Sequence, residues 1–229
     1  MEGRPPSDGD RMTAQGTGLG RLRRMATVQP PPAADEHCEF CTVDLGERHG
    51  HVADVAEHRL LCVCRPCYLL FAPEGSGGAR FRAVGEDVRR VAGLHLDDAT
   101  WDSLRVPVDL VFFFRQSGPD EEEPRLLAFY PGPGGATESE LDLHAWSRIV
   151  ADNPVLDQTM SDVEAVLLRR HDGEFTAHLV PIDVCYELVG VVRTSWKGLC
   201  GGPEVWDRMG EFFAELDRRG REVPHSGDA

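Results

Sequence analysis

Five of the seven cysteines in this chain lie within thirty residues, at a spacing typical of a metal site. The segment follows the pattern C-x2-C-x20-C-x-C-x2-C, and its cysteines are Cys38, Cys41, Cys62, Cys64 and Cys67. A CxxC pair can direct two sulfur atoms at one ion, and thiolates select soft or borderline metals such as zinc. The sequence therefore predicts a metal site in this segment.

Two CxxC pairs form the preferred ligand set. Cys38, Cys41, Cys64 and Cys67 give C-x2-C-x22-C-x2-C, which is close to the double-CxxC pattern of zinc sites and leaves Cys62 as a spare thiol. Using Cys62 in the second pair would give C-x-C or C-x4-C, which fits zinc less often. Four thiolates close the coordination sphere, so zinc in this set is predicted to be structural and not catalytic.

Iron is the alternative metal for the same four cysteines. It would act as a one-electron carrier, as in a rubredoxin-like site. Thr42 and Tyr68 follow the two CxxC pairs, at positions where such sites often have glycine. This difference mildly favours zinc over iron.

Two histidines between the cysteine pairs could extend the site. His49 and His51 form an H-x-H pair, which on a strand would place both imidazoles on one face. They could complete a second site with Cys62 and Asp54, or one of them could enter a Cys3His site. Because four cysteines already satisfy a tetrahedral ion, we favour the simpler interpretation that both histidines lie at the surface or hydrogen-bond the ligands.

The composition excludes several classes of protein. The net charge of the 229 residues is -15, and no basic patch follows Arg24, so we expect no binding to nucleic acid. No apolar run approaches the roughly 20 residues that span a bilayer, and no secretory signal is recognisable. The sequence therefore predicts a cytoplasmic location, where cysteines stay reduced. An acidic surface suits a protein partner.

Changes in composition divide the chain into five segments. Residues 1–35 are rich in Pro, Gly and Arg and are predicted to be a disordered tail. Residues 36–72 form the predicted zinc-ribbon-like metal module, and residues 73–79 a linker. An α+β domain is predicted over residues 80–220, followed by a second disordered tail at residues 221–229.

The predicted α+β domain has an antiparallel sheet with helices on one face and further helices at its C-terminal end. Alternating or continuous apolar runs predict strands at residues 80–84, 108–115, 125–130, 163–170 and 175–180. Helical periodicity and capping signals predict helices at residues 97–104, 183–196 and 203–219, with a further helix opened by a capping box at Thr137 and Glu140.

No catalytic constellation is recognisable in this domain. The segment from Pro131 to Gly135 could hold an anion but reads as a plain turn. Asp183 is interpreted as a helix N-cap, Cys185 as a buried small apolar residue and Cys200 as an inert loop thiol. The sequence therefore favours a non-enzymatic protein, although it leaves open an enzyme built on this domain.

Beyond residue 35 the chain resembles an actinobacterial family of uncharacterised proteins. The resemblance is carried by the segments CEFCTVDLGERHGHV, LLCVCRPCYLLF, FYPGPGGATESELDLHAW, NPVL, DVEAVLLRR, PIDVCYELVGVVR and GGPEVWDRMGEFFAEL. Genes of this family often lie beside those for high-affinity nickel-iron hydrogenases. The resemblance thus implies a role in assembling, metallating or wiring a hydrogenase. Together with the cysteine spacing, it leads us to expect a zinc-binding accessory protein that contacts hydrogenase subunits or maturation factors. The alternative is a rubredoxin-like iron or iron-sulfur electron carrier that serves the same enzyme.

Overall fold

The computed structural model describes residues 36–46, 48–73, 75–78, 80–118, 123–139, 143–198 and 201–227. Residues 36–229 form one compact unit. The disordered tail predicted for residues 1–35 lies outside the described residues, as do Cys200 and Glu140.

A small three-stranded antiparallel sheet carries the cysteine-rich segment. Its strands are β1 (Gly50–Asp54), β2 (Arg59–Val63) and β3 (Phe81–Ala83), in the order β2-β1-β3. Helix α1 (Arg65–Phe71) follows β2. One face of the β1-β2 hairpin contributes Val52, Leu61 and Val63 to a small core that also contains Cys38 and Cys67. Side chains alternate between the two faces of a strand, so the residues between these point to the opposite face.

The small sheet extends beyond the predicted boundary of the metal module. The sequence placed residues 80–84 in the α+β domain, but β3 pairs with β1 and not with the large sheet. The Arg80 guanidinium donates two hydrogen bonds to the Asp54 carboxylate, and the Phe81 ring contacts the rings of Phe40 and Phe71. These long-range contacts place β3 in the small sheet, and they cannot be predicted from local sequence patterns.

The larger part of the unit contains a seven-stranded sheet. Its strands are β4 (Arg89–Ala92), β5 (Leu110–Gln116), β6 (Arg125–Gly132), β7 (Gly135–Glu138), β8 (Glu164–His171), β9 (Glu174–Pro181) and β10 (Arg221–Pro224), in the order β10-β4-β9-β8-β5-β6-β7. All neighbouring pairs are antiparallel except β10 and β4, which are parallel. A large, mostly antiparallel sheet with helices is consistent with the predicted α+β class.

Helices cover both faces of this sheet, which corrects the expectation of helices on one face. One face packs against α4 (Ile182–Ser195) and α5 (Gly202–Arg219). The other packs against α2 (Asp98–Ser103), α3 (Leu143–Asp152) and a short 3-10 helix (Pro154–Gln158). Consecutive residues of β5 therefore enter opposite cores, Phe112 with α4 and Phe113 with α3. This double covering explains the continuous apolar run of the strand.

Residues 221–224 form a strand where the sequence predicted the start of a disordered tail. Val223 is buried in the same core as Val91 of β4. The backbone N-H of Arg221 donates to the Val88 carbonyl, and that of His225 donates to the Ala92 carbonyl. A four-residue strand with one apolar side chain is too short to give a periodic signal, so its order depends on pairing with β4.

Contacts between side chains join the small sheet to the larger part of the unit. Arg82 of β3 forms an ion pair with Asp162 at 3.0 Å. The Tyr68 hydroxyl donates to the Val84 carbonyl, and Ala53 of β1 is buried in the core beneath α4. The hairpin thus has one face on its own core and the other on the large domain. No helix among the described residues is long and apolar enough to cross a membrane.

Candidate metal centre

Two short backbone structures bring the four predicted ligands together. In the first, the backbone N-H of Thr42 donates to the Cys38 carbonyl, and the N-H of Cys38 donates to the Val43 carbonyl. This tight turn holds Cys38 and Cys41 at its two ends. Thr42 adopts a left-handed backbone with φ 61°. The turn therefore uses the conformation that glycine favours, although the residue is threonine.

The second pair lies at the start of helix α1. Cys64 is the N-cap residue, Pro66 occupies the first turn and Cys67 is the buried residue of the helix. Because the first helical turn brings residues three apart onto one side, it directs both thiols the same way. Tyr68 continues the helix. A glycine after the second pair is therefore not needed.

The four sulfur atoms form a compact cluster. The Sγ atoms of Cys38, Cys41, Cys64 and Cys67 all lie within 4.8 Å of one another, and those of Cys41 and Cys64 are 3.6 Å apart. Zn-S bonds of about 2.3 Å in a tetrahedron place sulfur atoms roughly 3.8 Å apart. A decrease of 1 Å or less in the largest distance between two Sγ atoms would give that arrangement. The chemistry and the geometry of these four residues fit one tetrahedral ion.

Hydrogen bonds favour the thiolate form at one ligand. Burial raises the pKa of Cys38, but backbone N-H groups from Cys64 and from its own turn outweigh this effect and lower its pKa to about 6. Burial and the neighbouring thiols raise the pKa of Cys67 to about 12. Thiolate is the form that ligates metals. The lowered pKa of Cys38 therefore favours metal binding at this cluster.

A second cluster of metal-ligating residues lies on the other face of the hairpin. His49, His51 and Cys62 each have one ligand atom within 4.8 Å of the other two. His51 and Cys62 are direct partners in the β1-β2 register, and the rings of His49 and His51 have centroids 4.9 Å apart. Gly50 lies between the two histidines. Its position requires glycine, because a Cβ there would lie 2.6 Å from the Tyr68 ring. Burial and two nearby glutamates raise the pKa of Cys62.

Asp54 does not join this second cluster, although the sequence offered it as a ligand. Its side chain is 1% exposed and both carboxylate oxygens accept hydrogen bonds from Arg80. Strand alternation places Asp54 on the face opposite His51 and Ala53. Its place next to the histidines is taken by Asp183, whose Oδ2 lies 2.8 Å from His51 Nδ1.

Asp183 is the site residue whose role the sequence misassigned. It was interpreted as the N-cap of the helix, but Pro181 occupies the N-cap and Asp183 lies in the first turn of α4. Its partner is 132 residues away along the chain. No local pattern reports a contact over that separation, so this pairing could not be predicted from the sequence.

The other candidate residues of the large domain do not converge. Cys185 is fully buried, and burial raises the pKa of its thiol. His178 is bound to Asp217 at 2.9 Å. A cavity of about 400 Å³ lies between the hairpin and the large sheet, and its wall is largely apolar, with Leu60, Phe112, Phe114, Phe129 and Tyr186 among the lining residues. Pro131 to Gly135 form the reversal between β6 and β7 and lead into a strand, not a helix.

A protein-family model described as a family of unknown function, DUF5947, matches residues 37–220. This range includes both clusters of metal-ligating residues. No curated protein and no solved structure matches the chain significantly.

Proposed function

The chain belongs to the DUF5947 family, whose function is unknown, and on that premise we propose that it is a non-enzymatic zinc-binding accessory protein that acts through contacts with other proteins. The observation that carries the proposal is the cluster of four Sγ atoms within 4.8 Å of one another. Four protein ligands leave no position for water or substrate, so the zinc would stabilise structure.

The zinc would hold together a part of the fold with a small core. The core around Cys38 contains five buried residues, two of which are the ligands Cys38 and Cys67. So few apolar groups stabilise a three-stranded sheet weakly, and metal binding can supply much of the folding free energy of such a module. In this account the module is zinc-ribbon-like, with one CxxC pair in a turn and the other at a helix start.

The surface of the module suits contact with a partner protein. Among the described residues, eight large apolar side chains are exposed, and four of them lie in the metal module: Phe40, Val43, Leu69 and Leu70. Exposed apolar residues concentrated on one small module are typical of interaction sites. The net charge of -15 favours a partner with basic residues around its apolar contact surface.

We further propose hydrogenase subunits or their maturation factors as the partners. The support for this step is the resemblance to proteins whose genes accompany nickel-iron hydrogenases. Affinity capture of the full chain from the organism that makes it, followed by identification of the bound proteins, tests it. Recovery of hydrogenase components is the expected result, and their consistent absence would contradict the proposed partner while leaving the zinc site standing.

Metal analysis tests the zinc site itself. We expect the purified full chain to be colourless and to retain zinc after dialysis, and Cys38→Ser to retain one zinc ion per chain fewer than the native chain. A red or brown protein that dithionite bleaches reversibly would instead support the second candidate, an iron-binding electron carrier. The exposure of Cys41 favours that candidate, because electrons could reach an ion held at the surface.

A further inference from the structure

The cluster of His49, His51 and Cys62 is separate from the four-cysteine cluster. The two clusters lie on opposite faces of the same hairpin, because β1 and β2 alternate their side chains between the small core and the large domain. The second cluster contains three ligand atoms within 4.8 Å of one another. Imidazole nitrogen and thiolate sulfur are both good ligands of zinc and similar divalent ions.

Hydrogen bonds orient both imidazoles through the same ring nitrogen. His51 Nδ1 lies 2.8 Å from Asp183 Oδ2, and His49 Nδ1 lies 3.2 Å from the Gly46 carbonyl oxygen. A carboxylate and a carbonyl can only accept, so Nδ1 carries a proton in each ring, and in the neutral form of the ring Nε2 has a free lone pair. Metal-binding histidines almost always have such a partner on the second nitrogen.

One of the free nitrogens is buried without a partner. His49 Nε2 has no hydrogen-bond partner although it is inaccessible to solvent. A buried polar atom without a partner is rare in folded proteins, and one explanation is an ion at the site. A cation bound between the two rings and Cys62 would satisfy this nitrogen directly.

Two carboxylates of this part of the fold are held elsewhere, and Glu36 is exposed with its Oε2 4.0 Å from His49 Nδ1. Asp54 is paired with Arg80, and Glu39 accepts hydrogen bonds from the Cys62 backbone N-H and from Arg59. The cluster therefore offers three ligand atoms within 4.8 Å of one another and leaves the fourth position to water, to an incoming ligand or to the exposed Glu36. Three protein ligands with an open position are typical of zinc sites that bind water or exchange a ligand, in contrast to closed structural sites.

We propose that His49 Nε2, His51 Nε2 and Cys62 Sγ bind a second divalent cation of the zinc type, with Asp183 as the positioning residue for His51. The open position makes this ion accessible to an incoming ligand, which the four-cysteine site does not allow. The proposal does not depend on whether the four-cysteine site holds zinc or iron.

Titration of the full chain tests the second site. The protein is stripped of metal under a non-thiol reductant and titrated with Co2+, whose thiolate charge-transfer absorption reports each cysteine-containing site, and then with Zn2+. We expect two equivalents in the native chain, and one in Cys62→Ser and in the double variant His49→Ala/His51→Ala. His171→Ala removes an exposed imidazole at the end of β8 and is expected to retain two equivalents. A native chain that binds one equivalent, or a Cys62→Ser variant that binds two, would overturn the proposal.

Two measurements keep the test decisive if these variants fold poorly. In the native chain, the second equivalent of Zn2+ is expected to slow alkylation of Cys62 at least tenfold, as measured by peptide mass spectrometry. Equal alkylation with one and two equivalents would contradict the site. Asp183→Asn is expected to weaken the affinity for the second equivalent of Zn2+ by about 10- to 100-fold and to leave the affinity for the first equivalent unchanged. An unchanged second affinity would remove Asp183 from the proposal.

Discussion

At the scale of residues, Asp54 and Arg80 link two strands of the small sheet through a pair of hydrogen bonds. The Arg80 guanidinium donates to both carboxylate oxygens and lowers the pKa of Asp54. The folded state therefore binds a proton at Asp54 less readily than the unfolded chain does. The stabilisation is complete above the ordinary Asp pKa of about 4 and is lost as the pH falls through the lowered folded-state pKa.

Replacing this carboxylate should destabilise the fold in a pH-dependent way. Asp54→Asn is expected to lower the urea midpoint of unfolding at pH 7, because it leaves Arg80 without its charged partner. The difference from the native chain should narrow as the pH falls below about 4, because Asp54 of the unfolded chain becomes protonated while the folded carboxylate is still charged. Glu174→Gln, an exposed change at the start of β9, is the matched control. A midpoint difference that is constant from pH 7 to pH 3 would contradict this assignment.

The candidate ligand residues show which parts of the site the sequence could predict. The cysteine spacing was sufficient to predict Cys38, Cys41, Cys64 and Cys67 as one group, because each pair is local and forms within one turn. The partners of His51 and Asp54 could not be predicted, since Asp183 and Arg80 are distant in the chain and reach them only through the fold.

At the scale of elements, β10 closes one edge of the large sheet. It buries Val223 and pairs in parallel with β4. Truncation after Gly220 is expected to lower the free energy of unfolding by about 2 kcal/mol, because Val223 leaves the core. Val223→Ala should show part of this loss. Glu222→Gln changes an ion pair with Arg90 at the surface and should stay within about 0.5 kcal/mol of the native chain. Equal stability of the truncated and native chains, measured by urea unfolding, would refute this role.

Strong periodic patterns predicted the long elements of the large domain, whereas its strands of four residues were missed. The apolar runs around Phe112 and Leu167 predicted β5 and β8. The strands β4, β7 and β10 have four residues each. Segments of this length carry too few side chains for a period to be read, and they become strands by pairing with a neighbour.

The capping box at Thr137 illustrates the same limit. Thr137 lies in β7, paired with Tyr130, and helix α3 begins at Leu143. A Ser or Thr followed three residues later by Glu predicts a helix start only when the backbone is free to turn there. The tight β6-β7 reversal extends the sheet through Thr137 and delays the helix.

At the scale of the whole molecule, the metal module presents apolar residues to solvent while the chain as a whole is acidic. Leu69 and Leu70 of α1 are 51% and 65% exposed. The double variant Leu69→Ser/Leu70→Ser is expected to reduce capture of the partner at least tenfold, while metal content and melting temperature stay unchanged. Val108→Ser, an exposed apolar residue of the large domain, is the matched control. Undiminished capture by the double variant would place the contact surface elsewhere.

The small sheet and the large sheet have separate cores, so removal of the proposed metal should have a local and measurable effect. The small sheet has few buried apolar residues of its own, whereas β8 and β9 are covered on both faces by large cores. Loss of the metal should therefore open the small sheet and leave the centre of the large sheet folded.

Hydrogen exchange measured by mass spectrometry, with and without complete metal removal by a chelator, tests the structural role of the four-cysteine site most directly. The account predicts that backbone amides of β1, β2 and α1 lose their protection when the metal is removed, that Cys38→Ser shows the same loss, and that β8 and β9 keep their protection. Unchanged protection of β1, β2 and α1 after complete metal removal would contradict a structural metal at this site.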